Sequence, residues 1–552
     1  MTNEVFEKDS TMIIFNGSIH TANEENEIVE AVYIVDNKIR LTGTNEEILK
    51  LKGPTTVMVD AKFNSVIPGI NDSHNHMWET GILLDGIVTL GIESIEELKL
   101  KIKEKLSSKK PGEWLHGGSW IETQFKEKRM ITKHDLDEVS PDNPVVLERI
   151  FSTCVCNSKA LEKAGITKDT PDPEGGEVGR DEKTGEPNGL LFRTAKQLVR
   201  NFMDSPFGSD PFKMDPRLDK IIEDGINYYL SFGITSVVEP GVTPAIMKSY
   251  MNLKKSNKLK IRTNLMPNWH GFAINETKDF SNRLIKESGF YTGFGDEWLR
   301  IGALKMAIDG GLTSKTQFSS WAYKGEDNPR PTPFRLDLDK LNQWVKEAHD
   351  SGWAVGIHVM GDLAIERAVD AMYEAFLDNP VIRRHQVIHS YYPTDDSLKK
   401  MAEMGVVAAL QPAFIYNEAD GYYDLLPEER LSTFLPMRRY IDFGVKVAIS
   451  TDMPSAHTNP FWGLYSALTR KGIQGYQLGD DQVISLDEAI KAMTYYGAYM
   501  TEEEHIKGSI EKGKLADLVV LDRNLIQIDQ EEIKDTKVIF TIVDGKIVYE
   551  SN

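Results

Sequence analysis

From about residue 67 to residue 500 the chain alternates short apolar runs with stretches of helical periodicity, and few folds satisfy that order. The runs lie at 66–70, 235–239, 261–267, 301–307, 354–358, 386–389, 406–411 and 445–450. Stretches between them, such as 338–351, 363–377 and 464–473, repeat apolar residues every three or four positions, the period of an amphipathic helix. Eight strand–helix units predict an α/β fold, a (β/α)8 TIM barrel carrying insertions. The competing arrangement is an open doubly wound sheet, but no Gly-rich phosphate loop follows the first run.

Both ends differ from this middle. Residues 12–17, 31–39 and 56–60 read as short strands, with Asn16-Gly17 and Asp36-Asn37 as turn dipeptides. Residues 516–522, 537–543 and 546–549 read the same way, and Asp544-Gly545 is a hairpin signal. Isolated hairpins are marginal in water. The two ends are therefore expected to build one small β-sandwich domain, 1–66 with 505–552, beside a barrel spanning 67–504. The interval between the first two runs is too long for one barrel connection. It holds Trp114, Trp120 and the loop Thr170-Pro171-Asp172-Pro173-Glu174-Gly175-Gly176. Residues 90–205 are expected to form an inserted subdomain over the barrel mouth.

Charge and composition weigh against two classes of partner. The 552 residues carry a net charge of −20, which disfavours the polyanions nucleic acid and anionic membrane. The N-terminus is acidic and lacks the basic and apolar regions of a secretory signal. No apolar run approaches the roughly 18 residues of a membrane span, so a cytoplasmic protein is expected. Cys154 and Cys156 would share one face of a strand, with Cα atoms about 6.5–7 Å apart, at the limit for a disulfide. They are expected to be reduced.

The first run leads into Val66-Ile67-Pro68-Gly69-Ile70-Asn71-Asp72-Ser73-His74-Asn75-His76. On an extended backbone residues i and i+2 point to the same side, so His74 and His76 can aim both imidazoles at one point, as a metal ion requires. Two polar residues following a strand would look the same. Lys305 lies inside another run, where a buried ammonium must be paired or neutralised. It meets a carboxylate, faces solvent, or is chemically modified at a metal site. His358, His389 and Asp452 each close a further run, at the end of the strands where barrels build active sites. His20, His116, His134, His349, His385 and His505 have no such placement.

Together these residues resemble the amidohydrolase superfamily. Pro68 to His76 is similar to its first-strand motif. Leu304-Lys305-Met306 with Asp309-Gly310, His358 with Gly361-Asp362, His389, and Ser450-Thr451-Asp452 with Asn459-Pro460 are similar to its later motifs. Residues 508–521 resemble a C-terminal segment common in that superfamily. Asn157-Ser158-Lys159-Ala160-Leu161 and Asp172-Pro173-Glu174-Gly175-Gly176 resemble the insert of its YtcJ-like branch, amidohydrolase family 3, which includes N-substituted formamide deformylases. The resemblance covers nearly the whole chain.

The resemblance implies a two-metal site. His74, His76 and Asp452 would hold one ion, and His358 and His389 the other. Lys305 would bridge them as N6-carboxylysine. Zinc is the metal implied by such ligands. Asp452 would serve as general acid and base in cleaving a C–N bond of an amide-like small molecule, such as an N-substituted formamide. Family precedent adds a homodimer. A deaminase or an ester or lactone hydrolase is the alternative chemistry on this site, and a non-catalytic scaffold is the alternative class. The branch often has a histidine just before the Asn-Ser-Lys-Ala-Leu element, where this chain reads Phe151-Ser152-Thr153-Cys154-Val155-Cys156, so a substrate contact there does not carry over. Trp78, Trp120, Trp269 and His270 lie near run ends or in the insert and are candidates to line the substrate, with ordinary packing as the other reading of each. His457 is a further loop histidine close to Asp452.

Overall fold

The computed structural model describes residues 10–551, apart from 90–91, 121, 123–124, 150–152, 174–175, 204–210, 271–274, 330–335 and 456–458. Eight parallel strands carry the barrel: β1 (Ile70–Asp72), β2 (Ile234–Val242), β3 (Arg262–His270), β4 (Leu304–Ala307), β5 (Val355–Val359), β6 (Gln386–His389), β7 (Val407–Leu410) and β8 (Lys446–Ile449). They lie side by side in chain order, as the alternation of runs and helices requires. Side chains alternate across this wall. Val237, Leu265, Leu304, Val355, Val387 and Ala408 pack into the large outer core with the helices. Their neighbours Val238, Met266, Ala303, Ala354, Ile388 and Ala409 form a separate inner cluster with Ala448.

The barrel closes without a regular ladder between β8 and β1. Ser73 spans the seam instead, its hydroxyl donating to the Ile449 carbonyl at 3.1 Å. Asp72 accepts the Thr451 backbone N–H at 3.0 Å and the Thr451 hydroxyl at 2.5 Å. The Asp452 N–H donates to the His74 carbonyl at 2.9 Å.

The run at 66–70 proves to be two strands. Ser65–Pro68 pairs antiparallel with Leu518–Leu521 and parallel with Ser18–His20, while Ile70 begins β1 beside β2. The chain changes sheets at Gly69, whose N–H donates to the Asp517 carbonyl at 2.8 Å. A Cβ there would lie 2.1 Å from the Thr235 hydroxyl oxygen, so only glycine fits the crossing.

Both chain ends build two sheets. One orders Lys38–Gly43, Ala31–Val35, Thr11–Phe15 and Val57–Asp60. The other orders Lys546–Glu550, Val538–Val543, Leu518–Leu521, Ser65–Pro68, Ser18–His20 and Ile28–Val29. Met12, Ile14, Ile34 and Val59 meet Val66, Leu518, Val520 and Ile542 in one shared core. This is the α/β fold with a terminal β-sandwich that the sequence predicts.

The long interval contains its own sheet, ordered Gly176–Arg180, Pro187–Arg193, Thr153–Cys156, Val145–Arg149, Leu115–Trp120 and Ile87–Val88. Val145, Leu147 and Val155 pack on one face with the helix Ile95–Leu106, and Val146, Cys154 and Cys156 on the other. Both cysteines are buried and free. Among the described residues no helix is long and apolar enough to cross a membrane.

Candidate metal centre

His74 and His76 stand just beyond β1 rather than on it, in the segment that enters the helix Met77–Asp85. Neighbouring strand ends hold this segment open. The Asn75 N–H donates to the Val238 carbonyl at 3.2 Å, and the His76 N–H to the Met453 carbonyl at 2.6 Å. Their rings lie 5.4 Å apart, edge to face. The Nε2 atoms of His74 and His76 are 3.6 Å and 3.4 Å from Asp452 Oδ1. The three side chains place one ligand atom each within 4.8 Å of one another.

Lys305, on β4, is 3% exposed, and its Nζ lies 3.5 Å from His74 Nε2. The His389 ring is 5.7 Å from that of His74 and 4.5 Å from that of His358. The structure thus brings all six sequence-derived ligand candidates into one cluster at the C-terminal end of the barrel strands. His389 reaches it through its backbone. Ile388 before it faces the barrel interior, so regular alternation would turn His389 outward. A φ of 73° at His389, in the left-handed region, breaks the alternation, and Asp452 has a φ of 53°.

Further buried groups orient these ligands. Gln411 closes β7, and its amide N–H groups donate to the Ala409 carbonyl at 2.9 Å and the Ser450 hydroxyl at 2.8 Å. Its oxygen therefore accepts from His389 Nδ1 at 2.7 Å, which leaves the His389 Nε2 lone pair free for a metal. Asp309, fully buried, accepts the N–H groups of Phe318, Met360 and Gly361 at 2.9–3.0 Å, tying the ends of β4 and β5 together. His358 Nε2 lies 3.2 Å from the Gly310 carbonyl. Glu239, on β2, caps the helix that follows His76: its Oε2 accepts from the Met77 N–H at 2.9 Å and the Tyr250 hydroxyl at 2.7 Å. Glu239 and Gln411 each close an apolar run, the same signal that marks His358 and His389. That signal would have found both.

Electrostatics suit a cation. Burial, aided by the Lys305 cation and nearby imidazoles, lowers His74 well below the usual imidazole range. Burial likewise lowers His389 to about 4. Both rings are neutral near pH 7, as metal ligands must be. Burial lowers His76 too, but Glu79, Asp452 and Glu239 outweigh it and raise it to about 9, so an ion bound there would displace its proton. Burial raises Glu239 to about 8. Two imidazoles and a carboxylate within bonding reach of one point fit a divalent ion.

The substrate-lining candidates are spread more widely. Trp78 begins the helix after His76, and its N–H lies 3.4 Å from Glu239 Oε2. Trp269 is fully buried in the outer core, with Nε1 donating to Asn282 at 2.8 Å. His270 stacks on Trp344 at 3.7 Å. Trp120 is 1% exposed in the insert, stacked on Phe125, with Nε1 donating to the Leu147 carbonyl at 3.3 Å. His457 lies outside the described residues, as do Phe151 and Ser152.

A family profile described as the amidohydrolase family matches residues 57–549. The YtcJ protein of Bacillus subtilis (strain 168), assigned to the amidohydrolases, is 30% identical over 543 residues, covering 97% of this chain and 99% of its own. The N-substituted formamide deformylase of Arthrobacter pascens is 27% identical over 556 residues, covering 98% of each chain. Among solved structures, an uncharacterized metal-dependent hydrolase from Pyrococcus horikoshii OT3 shares the fold with a TM-score of 0.72 at 23% identity, covering 95% of this chain and 99% of its own.

Proposed function

The chain belongs to the amidohydrolase family and is a metal-dependent hydrolase acting on carbon–nitrogen bonds; from that premise we propose that it cleaves small N-substituted amides, formamides foremost. The observation that carries the reading is the meeting of His74, His76 and Asp452 donor atoms within 4.8 Å, with Lys305 and His389 beside them. We assign His74, His76 and Asp452 to one divalent ion and His358 and His389 to a second, with zinc favoured by the ligand types. Lys305 would join them as a carbamate: the ammonium gives up one proton, and the resulting amine bonds to carbon dioxide and gives up a second. That step replaces a buried cation beside His74 with an anion offering oxygen ligands, which removes the cost of an ammonium among imidazoles.

Bound ions supply Lewis acidity, polarising the scissile carbonyl and acidifying water. The chain's own groups do the rest. Asp452 Oδ1, facing both His74 and His76, accepts the proton of the attacking water. It then gives that proton to the nitrogen as the C–N bond breaks, releasing an amine and a carboxylic acid. Gln411 holds the His389 ring in one tautomer, and Glu239 holds the helix next to His76.

The test joins metal analysis with a substrate panel. Protein purified without chelator is expected to hold stoichiometric divalent metal and to turn over N-substituted formamides faster than cyclic amides or esters of equal size. Protein without metal whose turnover ignores chelators would overturn the metal assignment. Faster ester cleavage would overturn the amide assignment.

A further inference from the structure

One helix beside the metal centre carries polar groups that the chain leaves unmatched. The helix Ala413–Leu425 follows β7 and Gln411 directly. Its Phe414 ring lies 6.4 Å from the His389 ring. Asn417 and Glu418 follow at i+3 and i+4, on the same side of the helix. Asn417 is only 7% exposed, yet among the described residues neither its amide nitrogen nor its amide oxygen has a hydrogen-bond partner. The Oε1 atom of Glu418 is buried in the same state. Gly421 lies one turn beyond Asn417, and a Cβ there would meet nothing within 4 Å. The face is open at Gly421, whereas the Asn417 amide one turn before it is enclosed. Tyr391, whose ring is 6.1 Å from that of His389, and Arg149 of the insert both act electrostatically on Glu418.

A buried amide with both donor and acceptor unmatched is rare, because each group forfeits its bonds to water. We propose that Asn417, with Glu418 beside it, holds the non-reacting half of the substrate, and that this half presents N–H and C=O together, as a second carboxamide or a ureide does. Two antiparallel hydrogen bonds would then satisfy both ends of the Asn417 amide. An ammonium group would leave the Asn417 nitrogen unmatched, and a carboxylate would leave its oxygen unmatched and face Glu418. The assignment of this half as non-reacting rests on the amide-hydrolysis reading above.

The test compares N-formyl amines of equal length ending in a carboxamide, an isopropyl, an ammonium or a carboxylate group. The carboxamide is expected to lead the isopropyl analogue in kcat/KM by about tenfold or more. Asn417→Leu is expected to collapse that lead to about twofold or less, with metal content unchanged. Gly421→Phe, which fills the opening at that turn of the helix, is expected to lower kcat/KM for the carboxamide substrate more than for N-methylformamide. A readout apart from turnover is stability. Asn417→Leu removes an unmatched buried amide and is expected to raise the thermal midpoint by roughly 1 °C or more. A lowered midpoint, or a wild-type enzyme indifferent to the carboxamide, would overturn the proposal. Should no formyl amine be hydrolysed, the amide reading fails by itself. Acetamide then tests the subsite alone: a rise in the wild-type midpoint that Asn417→Leu abolishes supports it, and no rise overturns it.

Discussion

At the scale of single residues, a backbone angle decides whether a histidine joins the centre. His389 enters because its φ of 73° undoes the alternation that would have buried it against a helix. Asp452, at 53°, is turned toward His74 and His76 in the same way. Asp452→Asn keeps an oxygen at the site but removes the base. It is expected to lower kcat by about 100-fold or more while metal content falls far less, as read from steady-state kinetics beside metal analysis. A variant with full turnover would remove Asp452 from the proton path. His358 and His389 stand out in the sequence because they close apolar runs, Lys305 because it lies inside one, and His74 and His76 because of their spacing. Gln411 and Glu239 close runs in the same way, but a run end alone does not tell a ligand from a group that positions one. Asn417 cannot be read at all, since its unmatched state exists only once the helix is packed.

At the scale of elements, two devices hold the centre in place. The helix Met77–Asp85 has no side-chain cap of its own, and Glu239 from β2 supplies one. Glu239→Ala leaves the Met77 N–H and the Tyr250 hydroxyl unpaired in the interior. It is expected to cost about 1–3 kcal/mol in urea denaturation and to weaken metal binding about tenfold or more, measured by metal titration, through loss of His76 positioning. The second device joins the helix Leu341–Asp350 to the starts of β5 and β6. The Val355 N–H donates to His385 Nδ1 at 3.0 Å, so the His385 proton sits on Nε2 and points to His349 Nδ1, 3.0 Å away. His349 Nε2 then donates to the Asn379 carbonyl at 2.8 Å. Burial, with His349 and Arg383 nearby, lowers His385 to about 3. An unfolded imidazole titrates near 6.5, so below that pH the unfolded chain binds the extra proton first. Stability from this group is complete above about pH 6.5 and falls by about 1.4 kcal/mol per pH unit down toward pH 3. Urea denaturation at pH 7 and pH 5 should show this slope, flattened in His385→Leu. Which run joins which sheet was less legible than the runs themselves. The stretch at 66–70 reads as one strand, and only the contact of Gly69 with Thr235 shows why it must be two.

At the scale of the whole molecule, the barrel is bolted to the terminal β-sandwich by one buried guanidinium. Arg262, at the start of β3, is 1% exposed. It donates to both oxygens of Asp517 at 2.6 Å and 3.0 Å and to Asp544 at 3.3 Å, and lies 4.6 Å from the centre of the Trp298 ring. Arg262→Met strands two carboxylates without their counter-charge. It is expected to cost about 3–5 kcal/mol in urea denaturation, with turnover per folded molecule little changed. The sequence foretold a domain assembled from both chain ends, since neither set of strands could stand alone. It did not foretell this tie, because a charge inside a predicted strand does not name a partner 255 residues away.

The sheet change at Gly69 also sets an order in time. Ser65–Pro68 lies between Ser18–His20, made before it, and Leu518–Leu521, made long after. At ordinary translation speeds the second neighbour leaves the ribosome tens of seconds later. Until then an apolar strand edge stays open, four residues from β1's end and six from His74, on a nascent chain exposed to every other chain around it. The segment that carries His74 and His76 thus sits beside an edge that closes only once residues 518–521 are made.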